Sequence, residues 1–142
     1  SPEAAAWARR NVRRLGLQAR VTVLEGDLFG PVASLGLARR CDLVVANPPY
    51  IPAPALPDLP EEVRAWEPAL ALDGGADGVT LIERILGEAP GFVRPGGRVL
   101  LEIGHDQASR LRGRIDADPR YGAAVVHRDL RGCERVLEAE VR

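Results

Sequence analysis

The chain has 142 residues, of which 46% are apolar, 27% charged and 4% aromatic, proportions that fit one soluble globular domain able to bury a core without disulfides. Nineteen basic residues, all arginine, stand against twenty acidic ones, and a net charge of −1 argues against a direct electrostatic nucleic-acid binder. No apolar run approaches the ~20 residues needed to span a bilayer, so no membrane contact is expected.

The first segment, residues 1–15, reads as a helix. Ser1 can cap it, Pro2 suits its first turn, and Ala5, Trp7, Ala8, Val12 and Leu15 recur at helical spacing. Gly16 ends it. Residues 20–25 alternate as a short strand with Val21 and Val23 on one face, and Gly26-Asp27-Leu28-Phe29-Gly30 follows as a loop. Residues 42–46 form a second strand whose continuous run, Leu43-Val44-Val45, predicts burial on both faces, as in a parallel sheet. Asn47-Pro48-Pro49-Tyr50 stops it, because proline cannot donate to a sheet ladder. A proline-rich stretch then runs to Gly78, with a short helix near residues 61–66.

Residues 80–89 predict a helix with Leu81, Ile82, Ile85 and Leu86 on its apolar face. Pro95-Gly96-Gly97 predicts a tight turn, residues 98–103 a third buried strand, and residues 109–118 a helix. Residues 123–127 and 135–140 are two further strands, joined by the short loop 129–133 as an antiparallel hairpin. Strand and helix in alternation, then a hairpin, predict an α/β fold with an open, mostly parallel sheet and one antiparallel strand at its end, in a C-terminal antiparallel hairpin.

Ligands of such sheets bind beyond the carboxyl ends of the strands, where Asp27-Leu28 and Asn47-Pro48-Pro49-Tyr50 fall. Two prolines remove two backbone donors and stiffen the loop, leaving outward carbonyls. The Asn47 side-chain oxygen adds an acceptor, and Tyr50 adds a flat face. This combination suits a planar –NH2 group, each N–H facing an oxygen; it does not suit a carboxylate or phosphate.

Asn47-Pro48-Pro49-Tyr50 after an apolar strand resembles motif IV of the S-adenosylmethionine-dependent amino-methyltransferases. The flanking sequence resembles the release-factor glutamine methyltransferases, the HemK/PrmC family. The resemblance is carried by the run from Asp42 to Pro52, by Trp66-Glu67-Pro68-Ala69-Leu70-Ala71-Leu72 and by Gly74-Gly75-Ala76-Asp77-Gly78. It continues in Pro95-Gly96-Gly97, Leu101-Glu102-Ile103-Gly104-His105-Asp106-Gln107 and the run from Asp129 to Arg135, and thus covers essentially the whole chain. It implies N5-methylation of the glutamine in the Gly-Gly-Gln loop of peptide chain release factors, with S-adenosyl-L-methionine as cofactor, in the cytoplasm. Asn47, Pro48 and Tyr50 are then the catalytic residues, with Pro49 completing the substrate-binding corner. Asp27 and Leu28 border the cofactor's adenine, and Asn47 also contacts the cofactor. No metal is implied.

The same resemblance implies a Rossmann-like class I methyltransferase sheet lacking its first two strands. Residues 1–142 correspond to the C-terminal part of a methyltransferase catalytic domain, because the family's glycine-rich cofactor loop and N-terminal helical domain do not occur in this sequence. The exposed sheet edges then predict self-association. Two alternatives remain from the residues: a nucleic-acid amino-methyltransferase acting on adenine or ribosomal RNA, and a catalytically inactive fragment serving as a folding or interaction module.

Other residues are expected to be structural. Cys41 and Cys133 read as reduced, buried small side chains, and Trp7 and Trp66 as packing residues. Arg9, Arg10, Arg13 and Arg14 form a solvated helix face, and His105 and His127 are surface histidines. Glu67 is expected to brace the Asn47 loop by accepting backbone N–H bonds, and Glu102 to end its strand near the same rim.

Overall fold

A computed structural model describes residues 1–142, which divide into two units, Ser1–Leu37 and Ala38–Arg142. The first unit is built on helix α1 (Pro2–Arg14). The Ser1 side-chain oxygen accepts from the Ala4 N–H at 3.2 Å, Pro2 opens the helix, and Arg13 and Arg14 lie in its last turn, where the helix dipole favours cations. Gly16, at φ 67°, turns the chain away. A second, one-turn helix, α2 (Gly30–Ala33), was not expected. Residues 20–25 are not a strand: they run without a ladder partner. Alternation of Val21 and Val23 encodes an extended segment, but a strand also needs a neighbour to take its hydrogen bonds.

The second unit holds one four-stranded sheet. Its strands are β1 (Cys41–Ala46), β2 (Val93–Glu102), β3 (Val125–Arg128) and β4 (Glu134–Glu140), in the order β1-β2-β4-β3. The β1–β2 pair is parallel; β2–β4 and β4–β3 are antiparallel. Three strands, β1, β2 and β3, run in one direction and β4 alone opposes them, so the sheet is mostly parallel in strand direction, as expected; β4 sits between β2 and β3 and makes both of its pairings antiparallel. Between the Cys41–Val93 and Leu43–Arg98 pairs, Arg94 to Gly97 bulge out, so the expected turn at Pro95-Gly96-Gly97 is an irregularity inside β2. Gly96 donates to the Val141 carbonyl at 2.7 Å, and Asp42 holds the Arg94 guanidinium at 2.6 Å.

Helices α3 (Glu61–Trp66), α4 (Thr80–Glu88) and α5 (Ala108–Asp116) complete the unit, with short 3-10 turns at Ala53–Asp58, Ala69–Ala71 and Ala89–Gly91. The core combines Ile82, Ile85 and Leu86 of α4 and Leu111 and Ile115 of α5 with Val99, Leu101 and Leu137 of the sheet, all nearly solvent-free. On the opposite sheet face, Arg98 pairs with Glu138 and Glu140, and His127 Nε2 lies 2.7 Å from Glu138. Tyr121 is buried and donates its hydroxyl to the Leu86 carbonyl at 2.7 Å, and burial raises its pKa.

β1 is the edge of this sheet, and its expected burial on both faces fails: Leu43 is 50% and Val45 68% exposed. The apolar run is that of a central strand, but only β2 pairs with it here. Two further expectations are corrected by exposure. Cys133 lies exposed in the β3–β4 loop, where polar backbone contacts set the fold, and Cys41 is half-buried; both are free thiols. Trp7 and Trp66 are 60% and 85% exposed, and Trp7 carries the Arg10 guanidinium 4.9 Å from its ring centre.

Candidate functional site

The parallel pairing of β1 with β2 brings the segments that follow Ala46 and Glu102 to one end of the sheet. Asn47, Pro48, Pro49 and Tyr50 leave β1 there and line a hollow of about 320 Å³ together with Ile51, Glu67, Ala71 and Leu72. Asn47 is exposed and Pro48 is buried. Neither the Asn47 side chain nor the Pro48 carbonyl makes a hydrogen bond within the chain, so the fold leaves the acceptor capacity of both unused.

The rest of the corner is tied down. Ile51 donates to the Leu72 carbonyl at 3.1 Å and accepts from the Gly74 N–H at 2.9 Å. The Tyr50 hydroxyl donates to Glu102 Oε1 at 3.1 Å. Burial, and then the hydrogen bond to the Glu102 carboxylate, raise the Tyr50 phenol above its ordinary value; nearby Arg135 partly offsets them. Arg135 also donates to the Ile103 carbonyl at 3.2 Å, joining β4 to the same rim. The Tyr50 carbonyl accepts from Gln107 Nε2 at 2.9 Å.

Glycine explains how a second segment reaches the corner. A Cβ on Gly74 would lie 2.8 Å from the Tyr50 Cα, and one on Gly78 would overlap the Tyr50 carbonyl oxygen. Gly78 also adopts φ 77°, a left-handed conformation costly for other residues. Asp77 follows the same segment into α4, accepting from the Val79 N–H and holding Arg110 at 2.5 Å. The hydrogen bond from Arg110 pulls its carboxyl below the usual range.

The structure thus brings together Asn47, Pro48, Pro49 and Tyr50. Asp27 and Leu28 belong to the first unit, in a turn closed by the Gly30 N–H to the Asp27 carbonyl at 3.0 Å, with Leu28 at φ 44°. Glu102 lies at the expected rim, with Tyr50 as its partner. Glu67 lines the hollow, but its carboxylate does not accept the expected backbone N–H bonds of the Asn47 loop. Gln107 was legible only as part of a motif. Its location just beyond a strand's carboxyl end was the available signal, and an isolated polar residue there does not reveal its partners.

No three His, Cys, Asp or Glu side chains gather where they could hold a metal ion, and no helix is long and apolar enough to cross a membrane. No protein-family model matches the chain. Individual relatives do. The release factor glutamine methyltransferase of Moorella thermoacetica is 47% identical over 139 residues, which are 98% of this chain and 47% of that protein. That of Geobacter sulfurreducens is 47% identical over 141 residues, 99% of this chain and 47% of the relative. The ribosomal protein uL3 glutamine methyltransferase of Bordetella pertussis is 46% identical over 107 residues, 75% of this chain and 34% of the relative. The chain spans about half the length, or less, of these curated relatives.

Proposed function

We propose, from the likeness of this chain to one part of the release factor glutamine methyltransferases, that it is the C-terminal part of the catalytic domain of an S-adenosylmethionine-dependent protein-glutamine methyltransferase. Its substrate is the glutamine of the Gly-Gly-Gln loop of peptide chain release factors, and its compartment is the cytoplasm. Similarity to release-factor enzymes extends over nearly the whole chain, whereas similarity to the ribosomal-protein enzyme quoted above stops at three quarters; this supports release factors as partners.

On this reading the four strands are one side of a Rossmann-like class I sheet. The exposed β1 edge, and residues 20–25 without a ladder partner, are consistent with central strands contributed from outside residues 1–142. The same edge is the surface through which the isolated chain would self-associate.

The observation that carries the proposal is the corner itself: Asn47 and Pro48 line a hollow, and neither the Asn47 side chain nor the Pro48 carbonyl has a hydrogen-bond partner within the chain. A carboxamide entering it presents two in-plane N–H groups, and two acceptors hold its plane while Tyr50 packs against the side chain. An amide nitrogen is a weak nucleophile because its lone pair is delocalised into the carbonyl. The same acceptors would stabilise the positive charge that grows on nitrogen as its bond to the methyl carbon forms and the sulfonium–methyl bond breaks, leaving a neutral thioether, after which the nitrogen would lose one proton to water. S-adenosylmethionine, when bound, supplies that methyl group on a sulfonium centre. The border of this cofactor is assigned to Asp27 and Leu28, which lie in the turn closed by the Gly30 N–H on the Asp27 carbonyl.

Two measurements test the proposal. Calorimetry with a Gly-Gly-Gln peptide and with S-adenosylmethionine reads binding, and transfer of labelled methyl to the peptide reads chemistry. The expected product carries the label on the glutamine side-chain nitrogen, and Asn47→Ala reduces its formation about a hundredfold. Peptide binding without transfer assigns the chain as an inactive fragment. Absence of both peptide and cofactor binding refutes the proposal.

A further inference from the structure

We infer that Gln107 is a positioning residue that sets the aim of the Asn47–Tyr50 corner, an assignment that rests on the methyltransferase reading and deepens it. Gln107 is 7% exposed. Its Nε2 donates to the Tyr50 carbonyl at 2.9 Å and to the Gly78 carbonyl at 3.2 Å, and its Oε1 accepts from the Gly104 N–H at 2.9 Å. The partners fix the amide's orientation, since a backbone N–H must face oxygen and two carbonyls must face nitrogen. One buried side chain therefore ties together the loop after β1, the glycine segment before α4, and the loop after β2.

The corner needs such a tie. Proline fixes φ, and Pro49 confines the ψ of Pro48 to the extended region, but the aim of this stiff segment as a whole is left to the bonds that flank it. Pro48 and Pro49 also lack N–H groups to anchor themselves. The direction of the Pro48 carbonyl is therefore set by what holds the chain next to it, and the first hydrogen-bonded carbonyl after the prolines is that of Tyr50. Gln107 takes this carbonyl for the interior and leaves that of Pro48 for the substrate amide. Glu102 restrains the same residue through its hydroxyl, so Tyr50 is held at both its backbone and its ring end.

The test uses side-chain amide NMR. The sequence holds two asparagines, Asn11 and Asn47, and two glutamines, Gln18 and Gln107, so the spectrum contains four NH2 pairs. The probe is a Gly-Gly-Gln peptide. In the wild type, the Gln107 protons should exchange slowly with water, and the Asn47 pair should shift on adding peptide. Gln107→Leu should move the Asn47 pair in the absence of peptide and weaken peptide binding about tenfold, with far-ultraviolet circular dichroism unchanged. Gln107→Glu keeps the shape but turns an acceptor toward two carbonyls; binding should recover in part only at acidic pH, where the protonated carboxyl donates one bond. Wild type measured at each pH cancels the titration of the surrounding Tyr50, Glu102, Asp77, His105 and Asp106, with Arg110 charged throughout.

Should the leucine variant lose its fold, the glutamate variant carries the test alone. A folded variant that binds peptide as the wild type does at every pH overturns the role of Gln107 while leaving the methyltransferase reading intact. A wild-type chain whose Asn47 pair ignores the peptide overturns both.

Discussion

Replacing Gly78 with alanine should damage the protein twice, and Gly87→Ala provides the opposite control. At Gly78 a methyl group would overlap the Tyr50 carbonyl oxygen and lie 2.8 Å from Gln107 Nε2 and 3.1 Å from Pro52 Cδ. Two of these neighbours cannot move cheaply, because the carbonyl belongs to a proline-stiffened corner and the amide is held at three points. Forcing an extra methyl into such packing costs about 1–3 kcal/mol. Holding alanine at the observed φ of 77° adds about 1–2 kcal/mol. The expected loss is therefore about 2–5 kcal/mol, a large share of the ~5–15 kcal/mol of a typical domain. At Gly87, inside α4, a methyl meets nothing within 4 Å, and φ is not left-handed. Alanine there should stabilise by about 0.5–1 kcal/mol through helix propensity. Urea unfolding of both variants reads the two signs, and peptide binding reads whether the corner has moved. A Gly78→Ala variant as stable as wild type, or one that tracks Gly87→Ala, would show that the close approach to Tyr50 does not constrain the fold.

Two other outcomes follow from charge. Glu102→Gln removes a negative acceptor from the Tyr50 hydroxyl, so Tyr50 should ionise at lower pH than in the wild type while burial still holds it above its ordinary value. Phenolate absorbance, with Tyr50→Phe to assign the signal against Tyr121, checks this; an unshifted titration refutes the contact. Asp118 is buried and accepts from Arg120 and Arg114, and the hydrogen bond from Arg120 chiefly depresses its pKa far below 3.8. Its stabilisation is complete above that unfolded-state value and is lost as pH falls below it. Asp118→Asn should cost about 2 kcal/mol at neutral pH and much less in strong acid, which urea midpoints across pH would read. A cost independent of pH contradicts the ion-pair account.

The helices were legible because their apolar residues recur at 3.6-residue spacing and their ends carry Ser1, Pro2 and Gly16. The hairpin was legible from the two strands around 129–133, whose loop is held by Asp129 accepting from the Arg131 and Cys133 N–H groups. The asparagine–proline corner was legible because its composition restricts its chemistry so strongly. Sheet context was not. Leu43 and Val45 read as a buried central strand, and residues 20–25 as a paired one, because local sequence records what a strand expects of its neighbours and not whether those neighbours are present. Exposure of Trp66 and the three bonds of Gln107 were likewise hidden, since both depend on segments distant in sequence arriving at one place.

The strand order carries a cost in time. β4, last of the four along the chain, lies between β2 and β3, while β3 is made earlier and waits outside it. Until β4 is made, the flank of β2 away from β1 stays bare. Closure of this sheet therefore waits for the last of its four strands, and a chain interrupted before β4 leaves β2 with an uncovered, aggregation-prone flank.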